Sequence, residues 1–272
     1  MPHQVPIEKM VVVKHNDLID AAQQLSVIES RIVLTCISRV NSKEVLDPSV
    51  KFSLSVEDIR DLLKVEGGSA YDNLRAAANR LAERWVILLK PSRRVTERKI
   101  RWVSEISYIP SEGTIELYFT PSISKLLSEI TKNFTQYKLE NVLGFKCSYS
   151  IRFYELFKRW GGTGKEVRLE DLQDLLELGD KYTRWDNFKK WVLIPAIQDI
   201  NETSDVKVSW EQVHRGKRVS GIVFAYTLPK KEKTLVQRKA PTVKPAEAKV
   251  NTSHQEELVN RFGADILKKF KI

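Results

Sequence analysis

The chain has 272 residues, of which 42% are hydrophobic and 29% charged, a composition typical of folded globular proteins and unlike that of disordered chains. Its two cysteines lack the paired spacing of metal sites or disulfide-rich domains. The net charge of +10 favours a polyanionic partner such as a nucleic acid. Neither a signal peptide nor a membrane-spanning run is visible, so we expect a cytoplasmic protein.

The first helical pattern covers residues 16–40, where apolar side chains recur at three- and four-residue steps. Asn16 is a residue type that caps helices, so we expect it to start this element. Further along, Ser55 and Asp58 have the spacing of a reciprocal cap for a helix over residues 57–65. A second helix is predicted from about residue 69 to residue 84. Its inner face is expected to carry Leu74, Ala78, Leu81 and Trp85.

Strand-like runs follow at residues 86–89, 100–109 and 114–119. The segment between the first two, residues 90–99, is strongly basic and is predicted to form the tip of a hairpin. Two helices followed by such a hairpin are the order of a winged-helix domain, in which the second helix of the pair enters the major groove of DNA.

The second half of the chain repeats this order. Residues 170–178 (EDLQDLLEL) match residues 57–65 (EDIRDLLKV), with five of nine positions identical. Two leucine-rich helices can be similar by chance, but the elements around them also correspond. An amphipathic helix over residues 149–160 precedes the repeat, which itself is expected to extend over 169–178. The repeat therefore indicates duplication of a whole small domain.

The last predicted elements are a helix and a hairpin. The helix covers about residues 183–200, and Pro195 inside it should bend it or shift its phase. Strands are predicted at 206–210 and 221–226, with a second basic tip at 214–218 between them. The inner face of the helix is expected to carry Phe188, Val192, Leu193, Ala196 and Ile197.

These elements predict an α+β fold of two tandem winged-helix domains related by internal duplication. The first domain is assigned to residues 1–140 and the second to residues 141–228. Residues 229–272 are basic and contain several prolines, which is typical of a flexible and largely disordered tail.

Catalytic motifs are missing from the sequence. The four histidines are scattered, so we expect no metal. The run GGTGKE at 161–166 is only superficially similar to a phosphate-binding loop. Arg159 stands where the first glycine is needed, and Glu166 stands where a hydroxyl binds Mg²⁺. We therefore expect no enzyme and no cofactor.

Nucleic-acid binding fits the residue types better, because Arg pairs with guanine, Asn with adenine, and Lys or Thr with phosphates. Any single basic residue is equally well explained as a solvated surface group. On the second helix of each pair we expect DNA contacts from Ser69, Asn73, Arg75, Asn79 and Arg80 in the first domain, and from Thr183, Arg184, Asn187, Lys189 and Lys190 in the second. At the hairpin tips we expect contacts from Arg93, Arg94, Arg98 and Lys99, and from His214, Arg215, Lys217 and Arg218.

The chain resembles the theta-type, iteron-binding plasmid replication initiators, which are built from two winged-helix domains. The resemblance spans roughly residues 11–228. It is most specific in YSIRFYELFKRW (149–160), WDNFKKWVLIPA (185–196) and GKRVSGIVF (216–224). By this resemblance, Lys189 and Lys190 match the basic recognition segment, and Lys217 and Arg218 match the basic wing. Trp191 departs from the pattern, since this position is often basic.

The resemblance implies a protein that binds directly repeated origin sites as a monomer, promotes origin opening and recruits host replication proteins. As a homodimer it would bind an inverted repeat at its operator and repress its own gene. The second domain would supply the main recognition of DNA. The first would add auxiliary contacts and form the dimer interface. Two alternatives stay open: a winged-helix transcriptional regulator without origin activity, and a scaffold that uses winged helices for protein contacts.

Overall fold

The predicted helix over residues 16–40 is wrong as one continuous element. In the computed structural model, which describes residues 7–55, 58, 70–92 and 94–229, this stretch holds three elements. They follow strand β1 (Val11–His15) and are α1 (Asn16–Ile19), β2 (Ala22–Gln23) and α2 (Val27–Ser38).

The break arises because the pattern contains a second helix start. The Ser26 hydroxyl accepts a hydrogen bond from the Glu29 amide at 3.3 Å, and the Glu29 carboxylate accepts one from the Ser26 amide at 3.0 Å. This reciprocal cap begins α2. The short α1 is capped by His15 rather than Asn16, since the His15 Nδ1 accepts from the Asp17 amide at 3.2 Å. Apolar periodicity alone did not reveal either boundary.

The first domain is built on a three-stranded antiparallel sheet with the order β3–β7–β6. Its strands are β3 (Phe52–Ser55), β6 (Val103–Ile109) and β7 (Thr114–Phe119). Helix α3 (Ala70–Ala82) packs against this sheet. The strand predicted at 114–119 is confirmed. The buried face of α3 is also confirmed in Leu74, Ala78 and Leu81, which are fully buried.

The predicted cap before the repeated helix is confirmed. The Ser55 amide donates to Asp58 Oδ2 at 2.9 Å, and the Asp58 amide donates to the Ser55 hydroxyl at 3.1 Å. The Arg39 guanidinium also pairs with the Asp58 carboxylate at 3.1 Å, and this ion pair connects the cap to the C-terminal end of α2. The remainder of the predicted helix over 57–65 lies outside the described residues.

A separate hairpin is inserted between α3 and β6. Strand β4 (Trp85–Ser92) pairs with β5 (Val95–Arg101) and also with β2, which gives a sheet of order β2–β4–β5. The predicted strand over 100–109 is therefore two strands, separated at the fully buried Trp102. Trp85 begins β4 and is 39% exposed, so its predicted place on the inner face of α3 is wrong.

The link between the halves consists of α4 (Pro121–Leu127), β8 (Phe134–Lys138) and α5 (Glu140–Leu143). Strand β8 pairs antiparallel with β1, with Val11 opposite Lys138. Strand β1 is thus held next to β8 at the end of the first half, and β8 is followed along the chain by α5 and then by the helix that starts the second half.

The second half contains α6 (Ser148–Trp160), β9 (Gly164–Arg168), α7 (Leu169–Leu175), α8 (Trp185–Phe188), α9 (Ile194–Thr203), β10 (Lys207–Arg215) and β11 (Arg218–Thr227). The predicted helix over 149–160 is confirmed. The predicted helix over 169–178 ends at Leu175, before Glu177 takes a left-handed φ of 50°. Strand β9 was not predicted. It pairs with β11 so closely that a Cβ on Gly221 would lie 2.8 Å from the Val167 carbonyl oxygen.

The two domains share one topology. In the first, β3 pairs with β7, the second strand of hairpin β6–β7; in the second, β9 pairs with β11, the second strand of hairpin β10–β11. Helix α3 corresponds to the helical segment that begins with α8. The wing of the first domain is therefore β6–β7. The basic hairpin β4–β5 has no counterpart in the second domain, so the prediction that it forms the first wing is wrong.

Candidate nucleic-acid interface

The second domain presents one long helical segment to solvent. It consists of α8, a π turn over Lys189–Leu193 and α9, and is called the recognition helix below. The π turn is the predicted effect of Pro195, which cannot donate a backbone hydrogen bond. The amide of Ile194 instead donates to the Lys189 carbonyl oxygen, five residues back. All five residues predicted for the inner face are buried: Phe188, Val192, Leu193, Ala196 and Ile197.

Asn187 and Lys190 lie on the outward side of the recognition helix, as predicted, whereas Thr183 and Arg184, also predicted for the helix, precede its first residue, Trp185. Thr183, Arg184, Asn187 and Lys190 are exposed. The Arg184 guanidinium lies 3.9 Å from the carboxylate of Asp186, and both side chains are about four-fifths exposed, so this pair holds Arg184 only weakly. The arrangement leaves two cations and an amide free to meet a groove.

Lys189 is placed differently from its neighbour. It is half-buried, and its ammonium lies 5.8 Å from the ring centroid of Trp210. Trp210 also meets the ring of Trp185 edge-on at 6.1 Å, and Trp185 stacks on Phe188. These aromatic contacts join the start of the recognition helix to β10. Trp185 is therefore a packing residue, and Lys189 lies at the junction of helix and wing.

The second basic tip is narrower than predicted. Strand β10 ends at Arg215 and β11 begins at Arg218, so the turn contains only Gly216, with φ of +65°, and Lys217. His214, Arg215 and Arg218, predicted for the turn, instead belong to the strands: Arg215 ends β10, His214 precedes it, and Arg218 begins β11. All of these side chains are exposed.

The charges on this wing repel one another. Arg215 lies directly opposite Arg218 in the ladder, and Lys217 is between them in the turn. Like charges in opposite positions destabilise a strand pair. In the described part of the chain no acidic side chain pairs with any of the three. A polyanion bound along the wing would relieve this repulsion, so the tip is suited to phosphates.

In the first domain, the predicted residues of α3 face outward but are engaged within the domain. The hydroxyl of Tyr108 donates to Asn79 Oδ1 at 2.5 Å, and the same ring lies 5.4 Å from the Arg75 guanidinium. Asn73, Arg75, Asn79 and Arg80 are all exposed. Ser69 lies outside the described residues. Contacts with β6 therefore partly occupy this face of α3.

Arg80 has a strong internal partner. Its Nε donates to Glu29 at 2.9 Å, and Arg84 donates to the same carboxylate at 2.8 Å, while the Glu29 side chain is fully buried. Burial alone would raise the pKa of Glu29, but hydrogen bonds from Arg84, the Ser26 amide and Arg80 outweigh it and hold that pKa below its ordinary value. Arg80 thus stabilises the start of α2.

The basic residues predicted for the first wing belong to the inserted hairpin. Arg94 is exposed at its turn, whereas Arg98 and Lys99 lie within β5 and on opposite faces of it, so they are not tip residues as predicted. Lys99 also pairs with Glu97 at 3.3 Å. Arg93 lies outside the described residues. The actual first wing turns at residues 110–113 (PSEG), which contain no basic residue.

Among the residues that the structure describes, no group of three or more His, Cys, Asp or Glu side chains is placed to hold a metal ion. Nor is any helix in these ranges long and apolar enough to cross a membrane. Cys36 and Cys147 are free thiols, the first buried and the second half-buried.

Comparison with protein families gives two matches. Residues 11–158 match the family described as Initiator Replication protein, WH1, and residues 168–226 match Initiator Rep protein, WH2. Two similar curated proteins, both from Escherichia coli, are a replication initiation protein, 25% identical over 185 residues, and the PI protein, 25% identical over 173 residues. The alignments cover 65% and 56% of this chain, and 57% and 56% of the relatives, so little more than half of their length is matched.

Among solved structures, the fold is similar to that in the crystal structure of the Pi initiator protein in complex with iteron DNA. The TM-score is 0.68 at 22% sequence identity, over 82% of this chain and 99% of that chain. At this identity the similarity establishes the fold alone. The fold expected from the sequence, two winged-helix domains, is confirmed.

Proposed function

Because this chain belongs to the family of initiator replication proteins, as its resemblance to plasmid initiators predicted, we propose that it initiates plasmid replication by binding directly repeated DNA sites at an origin. The observation that carries the proposal is the cationic surface of the second domain. There the recognition helix offers Asn187 and Lys190, with Arg184 just before its first residue, and the neighbouring wing offers Arg215, Lys217 and Arg218. A helix beside a basic wing is suited to reading a groove while holding the backbone on either side.

In this proposal the two domains contribute unequally. The second domain supplies the main recognition of DNA, because its wing is basic and its helix face carries unpaired polar groups. The first domain has a wing turn without basic residues, and two of its arginines contact Tyr108 or Glu29. Its auxiliary contacts to phosphates come from the inserted hairpin, where Arg94, Arg98 and Lys99 are exposed. The adjacent major grooves that the two helices would occupy lie about 34 Å apart.

The remaining steps of the proposed function rest on family membership. The protein binds origin repeats as a monomer, promotes opening of the duplex and recruits host replication proteins. As a homodimer formed through the first domain, it binds an inverted repeat at its operator and represses its own gene. The division between domains near residue 140 is part of the proposal. It is supported by β8, which pairs with β1 as far as Lys138.

The test is the salt dependence of DNA binding. Lys217 and Arg218 are both replaced by Ala, and binding to the origin repeats is measured at several salt concentrations. Each lost phosphate contact should reduce the slope of log K against log salt by about 0.9, or about 1.8 for the pair. The matched control replaces Lys125 and Lys132, two exposed lysines of the first domain, by Ala and removes the same charge. Equal slopes for both double variants would refute the proposed interface.

The same titration distinguishes specific from non-specific binding. Loss of phosphate contacts weakens binding to repeats and to unrelated DNA alike, whereas a change on the recognition helix weakens only the former. Replacement of Asn187 by Ala should therefore reduce the preference for the repeats and leave the salt slope unchanged. Wild-type protein that binds repeats and unrelated DNA equally would overturn the proposal of an origin-binding initiator.

A further inference from the structure

The recognition helix exposes two large apolar side chains that the proposed phosphate and hydrogen-bond contacts leave unused. Trp191 is 55% exposed and Ile194 is 42% exposed. Residues 187, 191, 194 and 198 follow one another at steps of four, three and four, and they and residue 190 are exposed while 188, 192, 193, 196 and 197 are buried, so all five share the outward face of the helix. The apolar pair therefore lies on the same face as Asn187 and Lys190.

The position of the pair follows from the π turn. The buried residues on either side of the turn, Phe188 and Ala196, both face the core. The wider turn between them carries Trp191 outward, where the neighbouring ammonium of Lys190 lies 4.7 Å from its ring centroid. Single π turns inside α-helices occur frequently at functional sites. The indole is thus presented to solvent beside a cation.

The surroundings of the pair favour DNA over a protein as its partner. Protein interfaces have cores depleted in lysine, whereas this apolar pair is adjacent to Lys190 and is followed along the face by the polar side chain of Gln198. In the major groove, the one apolar group on a base edge is the 5-methyl of thymine. An indole and a branched aliphatic side chain, each with an exposed surface, can pack against such methyl groups.

We propose that Trp191 and Ile194 form an apolar reading surface for thymine methyl groups in the half of the site bound by the second domain. Lys190 would contact the phosphate beside them. This inference rests on the proposed function and deepens it, because it names a base preference that hydrogen bonds alone would not supply. The resulting sites should contain one or two thymines that cannot lose their methyl groups without loss of affinity.

The experiment replaces thymine by uracil, which removes the methyl group and preserves base pairing. Each thymine of the bound repeat is substituted singly, and binding of the full chain is measured with wild-type protein and with Trp191→Ala. At one or two thymines the wild type should lose about fourfold in affinity per methyl group. Trp191→Ala should bind the unmodified repeat about tenfold more weakly. It should no longer distinguish uracil from thymine at those positions.

A matched control is Trp85→Ala, which removes another exposed tryptophan, in the inserted hairpin. This variant should keep the full response to uracil. Ile194→Ala gives a second, smaller change on the same surface and keeps the test valid if Trp191→Ala folds poorly. Wild-type protein that prefers the repeats but ignores every thymine-to-uracil change would overturn this inference alone. Wild-type protein without any preference for the repeats would overturn the proposed function as well.

Discussion

A buried ionic cluster holds the two domains in place, and Glu155 is at its centre. The Glu155 carboxylate accepts from Lys14 Nζ at 2.6 Å, from the Tyr137 hydroxyl at 2.5 Å and from Arg152 at 3.2 Å. Arg152 also donates to the carbonyl oxygens of Ile19 and Ala21, at 3.0 and 2.9 Å. The cluster therefore connects α6 to β1, to β8 and to the segment after α1.

Replacement of Glu155 by Gln tests this cluster. The change keeps the shape of the side chain and removes its charge, so two buried cations, Lys14 and Arg152, lose their counter-ion. Removal of one partner from a buried ion pair costs about 3–5 kcal/mol of the free energy of unfolding. For a chain of this size, that loss lowers the melting temperature by roughly 10 °C.

The assay is urea unfolding at neutral pH, followed by circular dichroism and tryptophan fluorescence. The exposed Glu211 offers a matched control, since Glu211→Gln should change the free energy of unfolding by less than about 0.5 kcal/mol. Lys14→Met in the Glu155→Gln background removes one orphaned cation and should recover about 1–3 kcal/mol relative to the additive expectation. A loss below about 1 kcal/mol for Glu155→Gln, or strict additivity of the two changes, would refute the reasoning.

Three further predictions concern other buried groups. Asp199 Oδ2 accepts hydrogen bonds from two backbone amides just before α6, at 2.8 and 3.1 Å, and from the Ser150 hydroxyl at 2.7 Å. Asp199→Ala should therefore cost about 3–5 kcal/mol of unfolding free energy, and Ser150→Ala only about 1 kcal/mol. Equal losses for the two variants in calorimetry would contradict this. Burial raises the pKa of the Cys36 thiol to about 12, so a thiol reagent should modify Cys147 in the native protein and Cys36 only after unfolding. Early modification of both would show that Cys36 is accessible. Because the pKa of Glu29 is lowered in the folded state, its contribution to stability is complete above the ordinary pKa of 4.5 and is lost as the pH falls through the folded value. The stability difference between wild type and Glu29→Gln should therefore shrink in acid, and a constant difference would argue against the lowered pKa.

Features set by local periodicity could be predicted from the sequence. The helix over Ser148–Trp160 and the five buried positions of the recognition helix follow from apolar side chains at helical spacing. The phase change before Pro195 follows from the missing amide of that residue. In each case the determining residues are neighbours in the chain, so no knowledge of distant contacts was needed.

Features set by distant pairing could not be predicted in the same way. The basic charge of residues 90–99 indicated the first wing, but wing identity depends on which hairpin pairs with β3. Phe52 is paired with Leu117 across 65 residues, a contact that local pattern does not reveal. The alternation of apolar and polar residues in FSLS (52–55) was the available signal, since it is typical of a strand.

In the candidate site, too, some features could be predicted from neighbouring residues and others depended on distant contacts. Exposure of Asn187, Lys190 and the second basic tip followed from helix phase and hairpin order. The engagement of Arg80 with Glu29 did not, because the two residues are 51 positions apart and meet only when α2 and α3 pack together. The capping pair Ser26 and Glu29, three residues apart, was a visible signal for the start of α2 and for a buried carboxylate there.

The most direct test of the central claim is a footprint of the purified chain on the DNA that flanks its own gene, in the presence of excess unrelated DNA and at two salt concentrations. An origin-binding initiator should protect evenly spaced direct repeats, and the protection should survive the competitor at both salt concentrations. Protection of a single inverted repeat alone would identify a transcriptional regulator instead. Absence of any protection beyond that of the unrelated DNA would contradict sequence-specific binding altogether.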